Sequence, residues 1–511
     1  MTLPAYRTRR NRTKAYLVQR PPTSIIKGMT MKRRPSRAQW FALTTLFVSA
    51  ISVHAQSGGR PPARLEPTTT SATARQAFRD AVYQSQNFRP ERARQRLRDA
   101  LAADPQFALA RVYQAVYAAD LTSSARAAEI TAALETMARH PTVEVLLAVY
   151  YRELYAGRQA AAIPVLRTAT ELLPGEPLVE YTYVVTQLTG KSNAAQVAVL
   201  QEHVKRMPDH AAAYNLLAGR LSIAGDTAAA FAAIARYAAL APVDANPEDS
   251  WSDIILVHQT PADALPHALR AIELDSTYAV GYAKLGLVQL MSGDARSARA
   301  SFARGLRLTT TLTDSIEHMY WTVASHAYTG DGKSALRELN PILALAESRH
   351  LTGAVRTAHL RAAQLEAYLG DRNAVAGHLS AAAAGTSGPD ATALAMRSVA
   401  FAQIGDLEAL RSSAAQYEGA VPSGNVNLPL LRGMIALQSG DLSRAETQLS
   451  QAAADDLLVK ALRADLLMRQ GKKAEGAALK KAVQNSSIKT RQRYFLEWHA
   501  LVAKMHADQL K

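Results

Sequence analysis

An all-α solenoid of antiparallel helix pairs is the fold class that this 511-residue sequence predicts, and three observations carry it. First, punctuating residues recur at a fixed period: Pro174, Pro208 and Pro242 lie 34 residues apart, and Gly157, Gly225 and Gly293 lie 68 apart. Second, large and small apolar residues alternate at fixed places within that period. Third, the chain is alanine-rich, 48% hydrophobic and only 6% aromatic. That composition suits close-packed helices and argues against a sandwich or barrel, whose strands need β-branched and aromatic residues. A period of this length marks stacked supersecondary units, none of which can bury its apolar face alone.

Both series fit one frame of five contiguous units: 143–176, 177–210, 211–244, 245–278 and 279–312. The seventh position reads Val149, Tyr183, Leu217, Trp251, Leu285, and the eighth reads Tyr150, Val184, Ala218, Ser252, Gly286. The twentieth reads Ala162, Gln196, Ala230, Ala264, Ala298, and the twenty-fourth reads Leu166, Leu200, Ile234, Ala268, Phe302. Small eighth and twentieth residues let two helices approach, and the large neighbours fill the space beside them. Between them a Gly-Asp pair, as at Gly225-Asp226 and Gly293-Asp294, stops one helix at positive φ and caps the next. The proline after the second helix cannot continue it.

These residues resemble the tetratricopeptide repeat family, best seen in Tyr214…Leu217-Ala218…Leu221…Ala230…Ile234…Pro242 and in Tyr282…Leu285-Gly286…Ala298…Phe302. The resemblance implies a right-handed superhelix whose first helices line a concave face. Outside 143–312 the register loosens. Gly330-Asp331, Gly370-Asp371, Gly405-Asp406 and Gly440-Asp441 mark further turns over 313–486, and 74–142 reads as degenerate N-terminal repeats, giving about twelve units. Residues 381–389 and 421–429 are rich in Gly, Ser and Pro and read as joints. Residues 487–511 read as a polar-backed capping helix, which an open solenoid end requires.

The N-terminal 55 residues carry a different message. Eleven of the 59 basic residues lie there, with no acidic residue, so the remainder is nearly balanced at 48 basic against 43 acidic. A nucleic-acid partner is therefore not expected, since it needs clustered basic residues. Lys32, Arg33, Arg34 and Arg37 precede an apolar stretch from Trp40 to Val53, then Val53-His54-Ala55. This is the order of an export signal, with cleavage between Ala55 and Gln56, a flexible leader over 56–73, and a true start at Met29 or Met31. The stretch is short for a membrane span, so no stable span is expected after cleavage. The implied location is periplasmic or secreted.

Catalytic chemistry is largely absent from the sequence. Zero cysteine excludes disulfides, thiol nucleophiles and thiolate metal sites. No nucleophile elbow, phosphate-binding loop, dinucleotide fingerprint or His-Glu-x-x-His spacing occurs. His318 and His326 lack a carboxylate third ligand, and Asp249/Asp253 and Asp455/Asp456 lack a cleft with unequal environments. No cofactor or metal is expected.

What remains is a surface. The resemblance places Leu147, Tyr151, Tyr181, Val185, Asn215, Asp249 and Asp253 along the concave groove. That groove would run from aromatic through small and polar to acidic. Tyr151 and Tyr181 fit an inter-repeat core equally well, and the residues that clamp a C-terminal carboxylate in some family members are missing. The sequence thus predicts an exported, non-catalytic scaffold binding a protein or peptide, with a regulatory or sensing subunit of a larger complex as the alternative. It names neither partner nor oligomeric state.

Overall fold

The computed structural model describes residues 64–510 apart from 119–120, 138, 190, 385–390, 422–424, 426, 455 and 487–497. The expected signal, its cleavage site and the alternative starts lie outside the described residues, as do Asp455 and half of the residues in the two expected joints. The chain divides into two compact units, 1–61 and 62–511, and every described helix belongs to the second.

Among the described residues there are 25 helices and no strand. They run as consecutive pairs that pack on each other. The first pair is α1 (Ala72–Gln86) with α2 (Pro90–Ala103), followed by α3 (Ala108–Tyr117) with α4 (Ser123–Glu135). Five pairs then cover the in-register block: α5 (Thr142–Tyr155) with α6 (Gln159–Leu172), α7 (Pro177–Leu188) with α8 (Asn193–Arg206), α9 (Ala211–Ala224) with α10 (Thr227–Leu240), α11 (Ala245–His258) with α12 (Pro261–Leu274), and α13 (Ala279–Met291) with α14 (Ala295–Leu306). Five more follow: α15 (Leu312–Tyr328) with α16 (Gly332–Ser348), α17 (Thr352–Leu369) with α18 (Arg372–Ala383), α19 (Ala391–Ile404) with α20 (Leu407–Ala420), α21 (Leu428–Gln438) with α22 (Leu442–Gln451), and α23 (Leu457–Arg469) with α24 (Lys473–Asn485). A single helix, α25 (Trp498–Gln509), comes last.

Local chemistry explains the boundaries. Gly157, Gly225, Gly293, Gly330, Gly370, Gly405 and Gly440 all sit between helices at positive φ, from 71° to 88°. At Gly225 this lets the Asp226 N–H reach back to the Leu221 carbonyl at 3.1 Å, satisfying an otherwise orphaned acceptor. The following aspartate then opens the next helix: Asp226, Asp294, Asp331, Asp371, Asp406 and Asp441 each accept a backbone N–H from the first turn.

Packing follows from the small residues. Ala218, Ala230, Ala264 and Ala298 are fully enclosed. Gly286 faces the Phe302 ring so closely that a Cβ would overlap it, and a Cβ on Gly433 would lie 2.7 Å from Leu449 Cδ2. The first helices also pack on one another from pair to pair, as α9 on α11, α11 on α13, α17 on α19 and α19 on α21. Successive second helices do not pack comparably among the described residues. The first helices therefore form the inner side of the stack, where neighbouring pairs converge.

Two expectations differ. Residues 64–71, expected as leader, are docked: the Leu65 N–H donates to Glu176 at 2.9 Å and the Thr68 N–H to Glu144 at 2.7 Å. Buried carboxylates need donors, and this segment supplies them. Helix α25, expected as an end cap, packs on α15 and α17 as well as on α23 and α24.

The Gly286–Phe302 contact makes a sharp stability prediction. Gly286→Ala should cost about 2 kcal/mol through overpacking, against about 1 kcal/mol for Gly293→Ala, where a Cβ meets open space and only the backbone is strained. Urea denaturation of both, with Phe302→Leu completing a double-mutant cycle, checks this; a coupling near zero between 286 and 302 would refute it.

Candidate functional site

The inner face begins with an aromatic ladder. Tyr113 of α3 stands edge-on to Phe78 of α1 at 5.2 Å, to Tyr117 at 5.6 Å and to Tyr151 of α5 at 5.5 Å. Tyr151 in turn contacts Tyr150 and stacks on Tyr155 at 6.4 Å between centroids. Edge-to-face pairs of this kind stabilise beyond their buried area. Burial pushes the Tyr151 phenol well above its ordinary pKa. The ring is half-buried, so it packs in the ladder and keeps part of its surface open.

Tyr181 of α7 is also half-buried, beside the His210 ring at 5.5 Å, and burial pushes its phenol up to about 12. One turn further along α7, Val185 is 39% exposed, an apolar side chain left open on the inner helix. Asn215 is half-buried on α9. Leu147 is fully enclosed and offers no surface to a ligand, which corrects its placement as a groove residue. Its position beneath the ladder lets it fill the space between neighbouring pairs.

The acidic end is corrected too. Asp249 and Asp253 are both buried, and Asp253 pairs with Lys284 of α13, whose side chain is equally enclosed. Burial lowers the Lys284 pKa, while Asp249 opposes that shift. A carboxylate withdrawn from water needs a cation or donors, and the next repeat provides the cation. Asp253 and Lys284 thus form a neutralised pair between adjacent repeats.

Sequence reasoning missed the element that covers this region. The turn between α1 and α2 inserts Asn87 and Arg89, both buried, against pairs that lie far along the chain. Arg89 reaches Asp244 at 3.5 Å and Asp275 at 3.7 Å, and Arg92 and Arg94 pair with Asp275 at 2.8 Å and Asp314 at 2.6 Å. The Tyr83 hydroxyl donates to Asp244. Behind them the Tyr237 hydroxyl donates to Asn87 at 2.7 Å, Asn246 donates to Tyr237 at 2.9 Å, and Tyr278 donates to Asn246 at 2.9 Å. Tyr113 and Tyr117 were also missed, although they stand 34 residues before Leu147 and Tyr151.

Among the described residues, no three His, Asp or Glu side chains are grouped to hold a metal, and no helix is long and apolar enough to cross a membrane. His318 is buried with its Nδ1 2.9 Å from the Asp314 carbonyl oxygen, whereas His326 lies near Asp331. They do not converge.

No family model matches the chain, and no curated protein matches it. Solved structures do. The crystal structure of the APC/C hetero-tetramer Cut9-Hcn1 is 13% identical, with a TM-score of 0.42, over 86% of this chain and 82% of that one. A human IFIT1 dimer with m7Gppp-AAAA is 14% identical, with a TM-score of 0.42, over 75% of this chain and 90% of that one.

One buried pair, between α8 and the start of α9, has a pH signature. His203 Nε2 and His210 Nδ1 are 2.8 Å apart and buried, so one ring donates to the other. Burial lowers both pKa values, His210 to about 4. The unfolded chain therefore binds protons below about pH 6.5 that the folded chain refuses, and stability falls as pH drops toward 4. Between pH 7 and pH 5 the His210 contribution lost is about 2 kcal/mol. In His210→Gln the difference between urea midpoints at these two pH values should shrink correspondingly; an unchanged difference would show that the pair does not govern it.

Proposed function

We propose that this chain is an exported, non-catalytic, tetratricopeptide-like scaffold that binds a protein or peptide on its inner face, in a bacterial cell envelope. The observation that carries the reading is the inner row itself. Half-buried Tyr151 and Tyr181 and exposed Val185 lie on first helices of neighbouring pairs, held by a ladder and by hydrogen-bonded turns. Such aromatics dominate binding because they bury much area while freezing few rotors. The absence of cysteine agrees with a fold held by helix packing outside the cytoplasm.

The binding test separates surface from core. Val185→Asp, with Tyr181→Ala, should leave melting within a few degrees of wild type yet reduce capture of envelope proteins by at least tenfold. Tyr151→Ala should lower stability by about 3 kcal/mol because it breaks the ladder. Undiminished capture by the Val185/Tyr181 variant, detected by cross-linking and mass spectrometry, would move the binding surface elsewhere.

Export has its own test. N-terminal sequencing of the envelope-fraction protein should begin at Gln56. A chain that keeps its first residues, or that fractionates with the cytoplasm, would refute export while leaving the scaffold reading intact.

A further inference from the structure

Helix α25 is enclosed on every side. Leu501, Val502, Ala503, Lys504 and Met505 are consecutive and all buried, and five consecutive positions encircle a helix. An end cap would cover only the last pair, α23 and α24, and keep a solvated back. Instead α25 also touches α15 and α17, three or four pairs earlier, so it lies along the inner side formed by the first helices.

Its polar contacts tie it down at few points. Lys504 Nζ donates to the carbonyls of Val483 (3.2 Å) and Gln484 (2.5 Å) at the carbonyl end of α24, and lies 5.4 Å from the Tyr328 ring centroid. A cation there meets carbonyls of the last turn of α24, the negative end of the helix dipole, and the face of an aromatic ring. Gln509 donates to the Tyr368 carbonyl at 2.8 Å, and Gln484 donates to Asp508 at 2.7 Å. Beside His506 a cavity of about 60 Å³ remains, lined by Val399, Met434, Leu458 and Leu462 of α19, α21 and α23. The inner groove is thus wider than the helix that occupies it.

We propose that α25 is an internal ligand. It occupies the inner groove of the last five pairs as a bound helix would, and the same groove accepts a partner's apolar helix of about three turns bearing one lysine when α25 undocks. This rests on the scaffold reading and specifies its partner. Burial on all sides over residues 501–505, contact with non-adjacent pairs and a lysine seated on the last carbonyls of a neighbouring helix are the properties of a helix-in-groove complex, made here within one chain.

The test uses the full chain and a fluorescein-labelled peptide of residues 498–511. Wild-type chain should bind the peptide weakly, because α25 already fills the groove. Val502→Asp and Lys504→Glu, placed in the full chain to expel α25, should each bind it at least tenfold more tightly, and unlabelled peptide should compete. Unchanged peptide affinity in variants that keep wild-type helical content would overturn the proposal. Global loss of helical content in both variants would also overturn it, by making α25 part of the permanent core. In wild-type chain, hydrogen exchange should be at least tenfold faster in α25 than in α19–α23, and equal protection counts against release. Because the probe is the chain's own helix, failure here is distinct from failure of capture through Val185 and Tyr181.

Discussion

The close crossing of the two helices in each pair is the constraint on which the rest depends. At Gly286 against Phe302, and at Gly433 against Leu449, the backbone of one helix meets a side chain of the other with no room for a Cβ. At Ala218, Ala230, Ala264 and Ala298 the methyl group is fully enclosed. Tight crossings forfeit area per residue but gain dispersion contacts, since a gap of even half an ångström loses much of the attraction. They also explain the composition: alanine replaces aromatics because the interface is shallow and long. The Gly-Asp turn follows from the same requirement, because helices this close must reverse within two or three residues.

A pure solenoid has contacts only between neighbours, so its stability is a sum of local terms. This chain departs from that rule. The turn carrying Asn87 and Arg89 joins the first pair to Tyr237, Asp244 and Asp275, about 150 to 190 residues away. Leu65 and Thr68 make similar bonds to Glu176 and Glu144. Each buried carboxylate is partnered by an element that local stacking would not bring to it. Removing one partner leaves a charge stranded away from water, which costs several kcal/mol. The first eight pairs are thereby coupled, and unfolding of the first pair exposes Asp244 and Asp275 at the two ends of the sixth pair and Asp314 in the eighth.

What was legible in the sequence was whatever repeats. The period located the helix pairs, and Gly-Asp located turns and caps, because each is a local rule written within four residues. The family resemblance offered Tyr151 and Tyr181 as groove candidates and left an inter-repeat core equally open. It misplaced Leu147, Asp249 and Asp253, whose environments are set by residues in other pairs. Asp253 looks acidic and open until Lys284 arrives from the next first helix, and Asp244 looks like a simple turn residue until Arg89 reaches it. Helix α25 misled for the same reason. Its sequence marks a helix, but the groove that receives it is built by helices from five pairs.

The chemistry of the inner face narrows what a ligand there must be. Four carboxylates on the first helices and the adjoining turns are already matched: Asp253 by Lys284, Asp244 and Asp275 by Arg89, Asp275 also by Arg92, and Asp314 by Arg94. A basic partner would have to displace these internal cations, recovering only the attraction they already supply and desolvating its own charge as well. An apolar or aromatic partner meets no such competitor at Val185 and the open edges of Tyr151 and Tyr181. The burial of Leu501, Val502 and Met505 shows the chain itself using the inner side for an apolar helix. These ion pairs are therefore committed to closing the scaffold, and the proposed recognition would rest on apolar contact along the first helices.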